Sequence, residues 1–282
     1  MFTLTVENKY GQRLELTHNE AYAIKSIDGI DPPDAVINTT HNAGEDGTVY
    51  NSSYIGERTI TITLAINAPA EANRINLYTY FKSKMPVRLY FANGARNVFI
   101  DGYVQTVGVA YFDRKQTVQI VIKCPRPLFN AVTDVVAEIA SIDALFEFPF
   151  SIAEAGIPFS EIVIGGEQDI YNGGDVETGA EFVIQMLGAV VRPQIYNLDT
   201  NESMKLSGTF ARGDKVTINT IRGQRHITLL RDGVESNIIG QLEQEWTWFT
   251  LVPTDNIFTF TADSGAENML VSVNVADLFE GV

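Results

Sequence analysis

Residues Tyr171–Ile184 read YNGGDVETGAEFVI, with paired glycines, Asp175, Glu177 and Gly179 ahead of an apolar run. Glycines and carboxylates so closely spaced could cradle a phosphate or hold a divalent cation. A phosphate loop has to open a helix, whose first amides complete the cradle. Here the strand-like runs EIVI and EFVIQM flank the stretch, and no Lys-Ser or Lys-Thr closes it. A calcium loop needs spaced oxygen ligands, as in D-x-[DN]-x-[DN]-G; Asp175 and Glu177 are too few. The stretch reads as a turn between two strands.

The remaining chemistry-bearing residues are sparse. His18, His41 and His226 stand in unrelated contexts, and the chain has no nucleophile elbow, H-E-x-x-H or P-loop. Carboxylates abound in the second half, but in so acidic a region they read as solvated surface rather than a glycosidase pair. Cys124 is the sole cysteine, which excludes an intrachain disulfide and a cysteine zinc site. It continues the face of Val118, Ile120 and Ile122 and reads as a core thiol. Trp246 and Trp248 alternate onto one face of a predicted strand, where they would fill a core or stack on sugar rings. The residues point to no enzyme, metal or cofactor. A carbohydrate-binding β-sandwich that contacts a cell surface is the alternative reading.

The elements that would position these residues are mostly strands. In RTITITLAI, Ile60, Ile62, Leu64 and Ile66 share one face, the period of a half-buried strand, and QTVQIVIKC repeats the pattern. One helix is predicted in APAEANRINLYTYFKSKMP, with Ile75, Tyr78, Phe81 and Met85 at helical spacing and Leu77 beside Phe81. Lys82 and Lys84 fall in its last turn and Pro86 ends it. Between Ile37 and Ile60 lies a polar hairpin around Asp46-Gly47, with no face to bury. Such a segment adds little core and reads as an arm that packs on another chain. Its candidate interface residues are His41, Asp46, Gly47, Tyr50 and Tyr54.

Turns are predicted at Asn93-Gly94 and Asp113-Arg114-Lys115. Pro125 and Pro127 cannot donate to a sheet ladder, which sets a boundary between domains 1–130 and 131–282. A connector with Pro149 and Pro158 follows. Beyond it, turn signals such as Gly165-Gly166, Gly173-Gly174, Gly213-Asp214, Asp232-Gly233 and Ser264-Gly265 separate short strand-like runs, the spacing of a β-sandwich.

The charge divides along the same line. The formal net charge is −15, but residues 1–130 hold 13 Lys+Arg against 12 Asp+Glu, and residues 131–282 hold 7 against 23. The acidic half would repel nucleic acid, whose phosphates require clustered Lys and Arg. No apolar run is long enough for a membrane span. The N-terminus alternates instead of showing a signal peptide, so synthesis in a reducing cytoplasm is expected.

The order of these motifs resembles the distal tail proteins of long-tailed bacteriophages. YNGGDVETGAEFVI, RPQIYNLDTNESMKL, FARGDKVTINTIRGQRHITL, RDGVESNI and EWTWFTLVPTDNIFTFTADSG are similar, in sequence, to the C-terminal part of that family. The polar hairpin, RTITITLAI, the helix and CPRPLF are similar to its N-terminal part. The resemblance implies a mainly β chain: an N-terminal β-sandwich-like domain with one helix and a long hairpin arm, then a galectin-like β-sandwich. It also implies a structural virion protein at the tail tip. There it would self-associate in a ring, commonly of six subunits, and join the tail tube protein to tail-tip or host-binding proteins.

Overall fold

The structure, a computed structural model, describes residues 1–112, 115–132, 135–138, 141–143, 161–163, 167–243 and 246–282. Most of the predicted Asp113-Arg114-Lys115 turn, the Pro149/Pro158 connector and the Gly165-Gly166 turn lie outside these residues. The chain divides into a unit of residues 1–132 with 278–282, and a unit of residues 133–277. A division at 130/131 assigns Leu278–Val282 to the second domain; the structure packs them with the first.

The first unit is built from β1 (Thr3–Asn8), β2 (Arg13–Glu15), β3 (Tyr22–Asp28), β4 (Ala35–Thr40), β5 (Val49–Ile55) and β6 (Arg58–Ile66). There follow α1 (Ala70–Tyr80), β7 (Pro86–Ala92), β8 (Asn97–Ala110), β9 (Thr117–Cys124) and β10 (Phe129–Ala131). Its main sheet runs β2-β1-β7-β8-β9-β6-β3, and β10 joins at β8. Period-2 alternation buries Ile60, Ile62 and Leu64 from β6 against Val118, Ile120, Ile122 and Cys124 from β9. Burial pushes the Cys124 thiol up to about 12, so little reactive thiolate exists near neutral pH.

The helix is shorter than its pattern. It ends at Tyr80, with Lys82 and Lys84 beyond it and Ile75 60% exposed. The buried face is Leu77 and Phe81, over which the Tyr22 hydroxyl donates to the Asn73 carbonyl at 2.9 Å. Phe81 leaves the helical conformation (φ −112°, ψ 70°) while its amide still bonds the Leu77 carbonyl. A turn from Lys82 to Met85 follows, with Lys84 at φ 68°.

Arg58 closes this unit at the start of β6. Its buried guanidinium donates to the carbonyls of Gly29, Asp31, Pro127 and Glu280 and lies 4.7 Å from the Phe129 ring centroid. Desolvation lowers its pKa; the fork of donors is nevertheless satisfied by backbone oxygens. Arg96 donates to the Gly281 carbonyl, Val282 to that of Ile30, and Leu278–Phe279 pairs with β10.

The second unit contains β11 (Val135–Glu138), β12 (Ser141–Asp143), β13 (Glu161–Val163), β14 (Gln168–Asn172), β15 (Ala180–Met186), β16 (Val190–Val191) and β17 (Gln194–Asn197). It continues with β18 (Glu202–Lys205), β19 (Thr209–Phe210), β20 (Lys215–Asn219), β21 (His226–Arg231), β22 (Val234–Asn237), β23 (Thr254–Thr261) and β24 (Met269–Val275). A six-stranded sheet, β11-β24-β15-β20-β21-β22, faces a four-stranded one, β14-β23-β17-β18. Phe182 of the first sheet and Phe258 of the second meet at 5.3 Å, with Phe249 within 5.5 Å of each. The architecture is mainly β, as expected.

YNGGDVETGAEFVI is a turn governed by Asn172. This residue is buried; its carbonyl oxygen accepts the Gly174 amide and its Nδ2 donates to the carbonyls of Val176 and Leu251. Asn197 and Asn256 close two further turns in the same way, accepting backbone amides of residues 199, 200 and 252. At Gly213-Asp214, the buried Asp214 accepts the Ala211 amide and both Nε and Nη2 of Arg231.

The predicted strand through Trp246 and Trp248 is absent. Residues 246–250 have no ladder partner, and Leu251 bridges to Thr178. The alternation reflects Phe249 and Leu251 entering the core while the tryptophans cover its edge.

Candidate assembly interface

The polar segment is a free-standing hairpin. β4 and β5 pair only with each other, all of Ala35–Tyr54 is exposed, and the hydrogen bonds of this hairpin stay within it. An isolated two-stranded ribbon is marginal in water, and this one has side-chain bonds to hold its register. Asn38 Nδ2 donates to Ser52 Oγ at 3.0 Å, and Asn51 Nδ2 reaches Thr40 Oγ1.

A bulge divides the ribbon. Asn38 pairs with Ser52 and Thr39 with Tyr50, leaving Asn51 as the extra residue. Strict alternation along β5 puts Tyr50 and Tyr54 on one face. The bulge instead groups Tyr50 with Ile37, Thr39 and Ser53, to which its hydroxyl bonds at 2.9 Å. Tyr54 lies with Val36, Asn38 and Val49 on the other face. Ile37 and Tyr50 are each 62% exposed and Tyr54 58%. Both faces of the arm therefore carry uncovered apolar area, which a lone chain in water disfavours.

His41, Asp46 and Gly47 occupy the connecting tip, where Gly44 and Gly47 take φ of +88° and +93°. Asn42 and Glu45 bond to each other across it. The sequence has no Lys or Arg between Ala35 and Ile55, so Glu45 and Asp46 give the tip an unopposed negative charge. Sequence reasoning missed Val36, Ile37 and Val49 as interface candidates. They sit at strand positions whose second face a single-chain reading assigned to solvent.

The arm's root is rigid. Gly29, at φ +86°, lies so close to β6 that a Cβ there would meet the Thr59 carbonyl oxygen at 2.1 Å. Arg58 grips the carbonyls on either side of Ile30 at 2.7 Å, and Val282 bonds Ile30 itself. The root is thus tied to β6 and to Glu280–Val282 a few residues before the ribbon starts.

The candidate sugar-stacking pair has a different geometry from a platform. Trp246 and Trp248 meet edge to face at 5.2 Å and 86°, both are half-buried, and Arg225 lies 5.5 Å from the Trp248 ring. Among the described residues no group of three or more His, Cys, Asp and Glu is placed to hold a metal. His18 and His41 are exposed, and His226 Nδ1 bonds the Gln224 carbonyl.

Two family models match the chain. The "Phage tail protein RIFT-related domain" covers residues 9–123, and the "Siphovirus-type tail component, C-terminal domain" covers residues 173–274. One falls in each structural unit, and in this order they define a phage tail component. The chain belongs to the siphophage tail component family and has the fold of a distal tail protein. The solved structure of SPP1 Dit, described as a paradigm of the hub adsorption apparatus in phages infecting Gram-positive bacteria, superposes with a TM-score of 0.70. It is 14% identical, over 99% of both chains. A chain of the phage P2 baseplate in its activated conformation with Ca matches at a TM-score of 0.52 and 11% identity, over the whole of both chains. No curated protein matches the chain.

Proposed function

We propose that this chain is a structural hub of the phage tail tip. Copies of it would join in a ring between the tail tube and the host-binding or baseplate proteins, with the arm as the element that links neighbours. The observation that carries this reading is the hairpin Ala35–Ile55: anchored rigidly at its root, unsupported along its length, and apolar on both faces. Ordering such a ribbon costs conformational entropy, and burial against another chain offsets that cost. The fold shared with SPP1 Dit and with the P2 baseplate chain supports a tail-tip location.

Light scattering on the purified protein tests the reading. The intact chain should self-associate. Replacement of residues 36–54 by a short Gly-Ser turn should leave β content and melting nearly unchanged, because the arm shares no core, and should abolish the oligomer. The same oligomer from the shortened chain would reassign the arm as a surface loop.

A further inference from the structure

The arm's tip is acidic, and the first unit carries a basic patch that its own residues leave unanswered. Lys9 and Lys82 line one shallow depression with Tyr10, Tyr80, Met85 and Pro86, and no carboxylate lines it. Lys84 lies in the turn that leads from Lys82 to Met85. All of Lys9, Lys82 and Lys84 are exposed, and none forms an ion pair among the described residues. This contrasts with the neighbouring outer surface, where Arg13 is paired with Glu7 and Arg88 with Asp101. Tyr10, 66% exposed, adds an aromatic surface beside the charges.

We propose that the patch of Lys9, Lys82 and Lys84 receives the Glu45-Asp46 arm tip of a second copy of this chain. The inference rests on the arm being the linking element and adds where it docks. Charge complementarity selects this occupant. The tip brings Glu45 and Asp46 with no cation of its own, and the patch brings lysines with no anion. The two features are distinct sets of residues, so a tip-to-patch contact can be made head-to-tail. Made in one direction and repeated around an axis, such a contact closes a ring, as the proposed function requires. Opposed charges at a protein contact chiefly set register and association rate. In this scheme the apolar residues of the ribbon supply most of the affinity and the tip chooses the site.

Charge exchange tests the inference in the full-length protein, with light scattering and sedimentation as readouts. Lys9→Glu with Lys82→Glu and Lys84→Glu should weaken self-association by about tenfold or more, as should Glu45→Lys with Asp46→Lys. All the substitutions combined in one chain should restore it. Every position is exposed, so circular dichroism melting should match the parent and verify that each variant is folded. Raising salt should weaken the parent oligomer and the exchanged one alike. If the arm-shortened chain loses the oligomer while neither charge set alters it, the docking inference is overturned and the arm's linking role stands. Loss in both sets without restoration in the combined chain also overturns it. A parent chain that stays monomeric overturns the linking role and this inference together.

Discussion

Single buried polar side chains hold the turns of the second unit, and their removal should be felt there. Asn172→Ala would remove the side-chain partner of the Val176 carbonyl and the Gly174 amide, and leave the Leu251 carbonyl with the Thr178 amide alone. The expected loss is about 1–3 kcal/mol, read as a lower urea midpoint at unchanged slope. Asp214 adds a pH dependence. Hydrogen bonds from Arg231, then the Ala211 amide, hold its carboxyl below the usual carboxylate range, against the opposing effect of burial. A depressed folded pKa contributes stability that is complete above the unfolded value of about 3.9 and is lost as pH falls through the folded value. Stability should therefore fall below about pH 4. Asp214→Asn should flatten that acid limb while lowering stability at pH 7, as measured by urea unfolding at both pH values. A limb as steep as the parent's would place the acid sensitivity elsewhere. The sequence announced both turns through Gly173-Gly174 and Gly213-Asp214. It did not announce that Asn172 and Asp214 close them, because the partners, Leu251 and Arg231, are brought near only by the fold.

Strands with one clean buried face were readable one by one, as at Ile60–Ile66 and Val118–Cys124. Alternation misled where the backbone departs from a ladder. Trp246 and Trp248 have strand-like spacing in a segment that lacks a partner strand, and the Asn51 bulge reverses the face of Tyr50 relative to Tyr54. A bulge leaves no mark on composition. The helix end was overrun because Phe81 and Met85 continue the 3.6-residue period after the backbone has turned. The candidate interface was readable in outline, since a polar segment with paired turn residues cannot form a core. Its second apolar face was not. At this scale, Tyr50→Ala and Tyr54→Ala should each weaken self-association by about tenfold or more without shifting the melting temperature. Because the rings lie on opposite faces, their effects should be close to additive. Strong coupling between them in a double-mutant cycle would show that one surface covers both.

Across the whole molecule, the first unit is composed of two separated stretches of chain. Nothing in Leu278–Val282 reads as belonging with residue 30 or residue 129. The recruiting residue, Arg58, looks in sequence like an ordinary charged flank of RTITITLAI. Removal of residues 278–282 would strip Arg58 and Arg96 of the Glu280 and Gly281 carbonyls and leave the Arg58 guanidinium buried with fewer acceptors. The cost should be at least about 2 kcal/mol, appearing in the first unit. Hydrogen exchange should show residues 27–31 and 129–131 losing protection while β15 and β24 keep theirs. Equal loss in both units would mean that the tail supports the chain generally.

That latch also sets an order of events during synthesis. Residues 133–277 leave the ribosome after β1 to β10 and before the segment that completes them, so the arm's root stays unfinished while the second unit is made. A chain halted anywhere in that interval carries an arm whose root is held by β6 but lacks the contacts of Glu280–Val282. Under the proposed assembly role, synthesis of residues 278–282 would thus be a condition for joining another copy. Nascent chains stalled near residue 270 should be cut by protease at the arm's root, where the released chain that includes residues 278–282 resists.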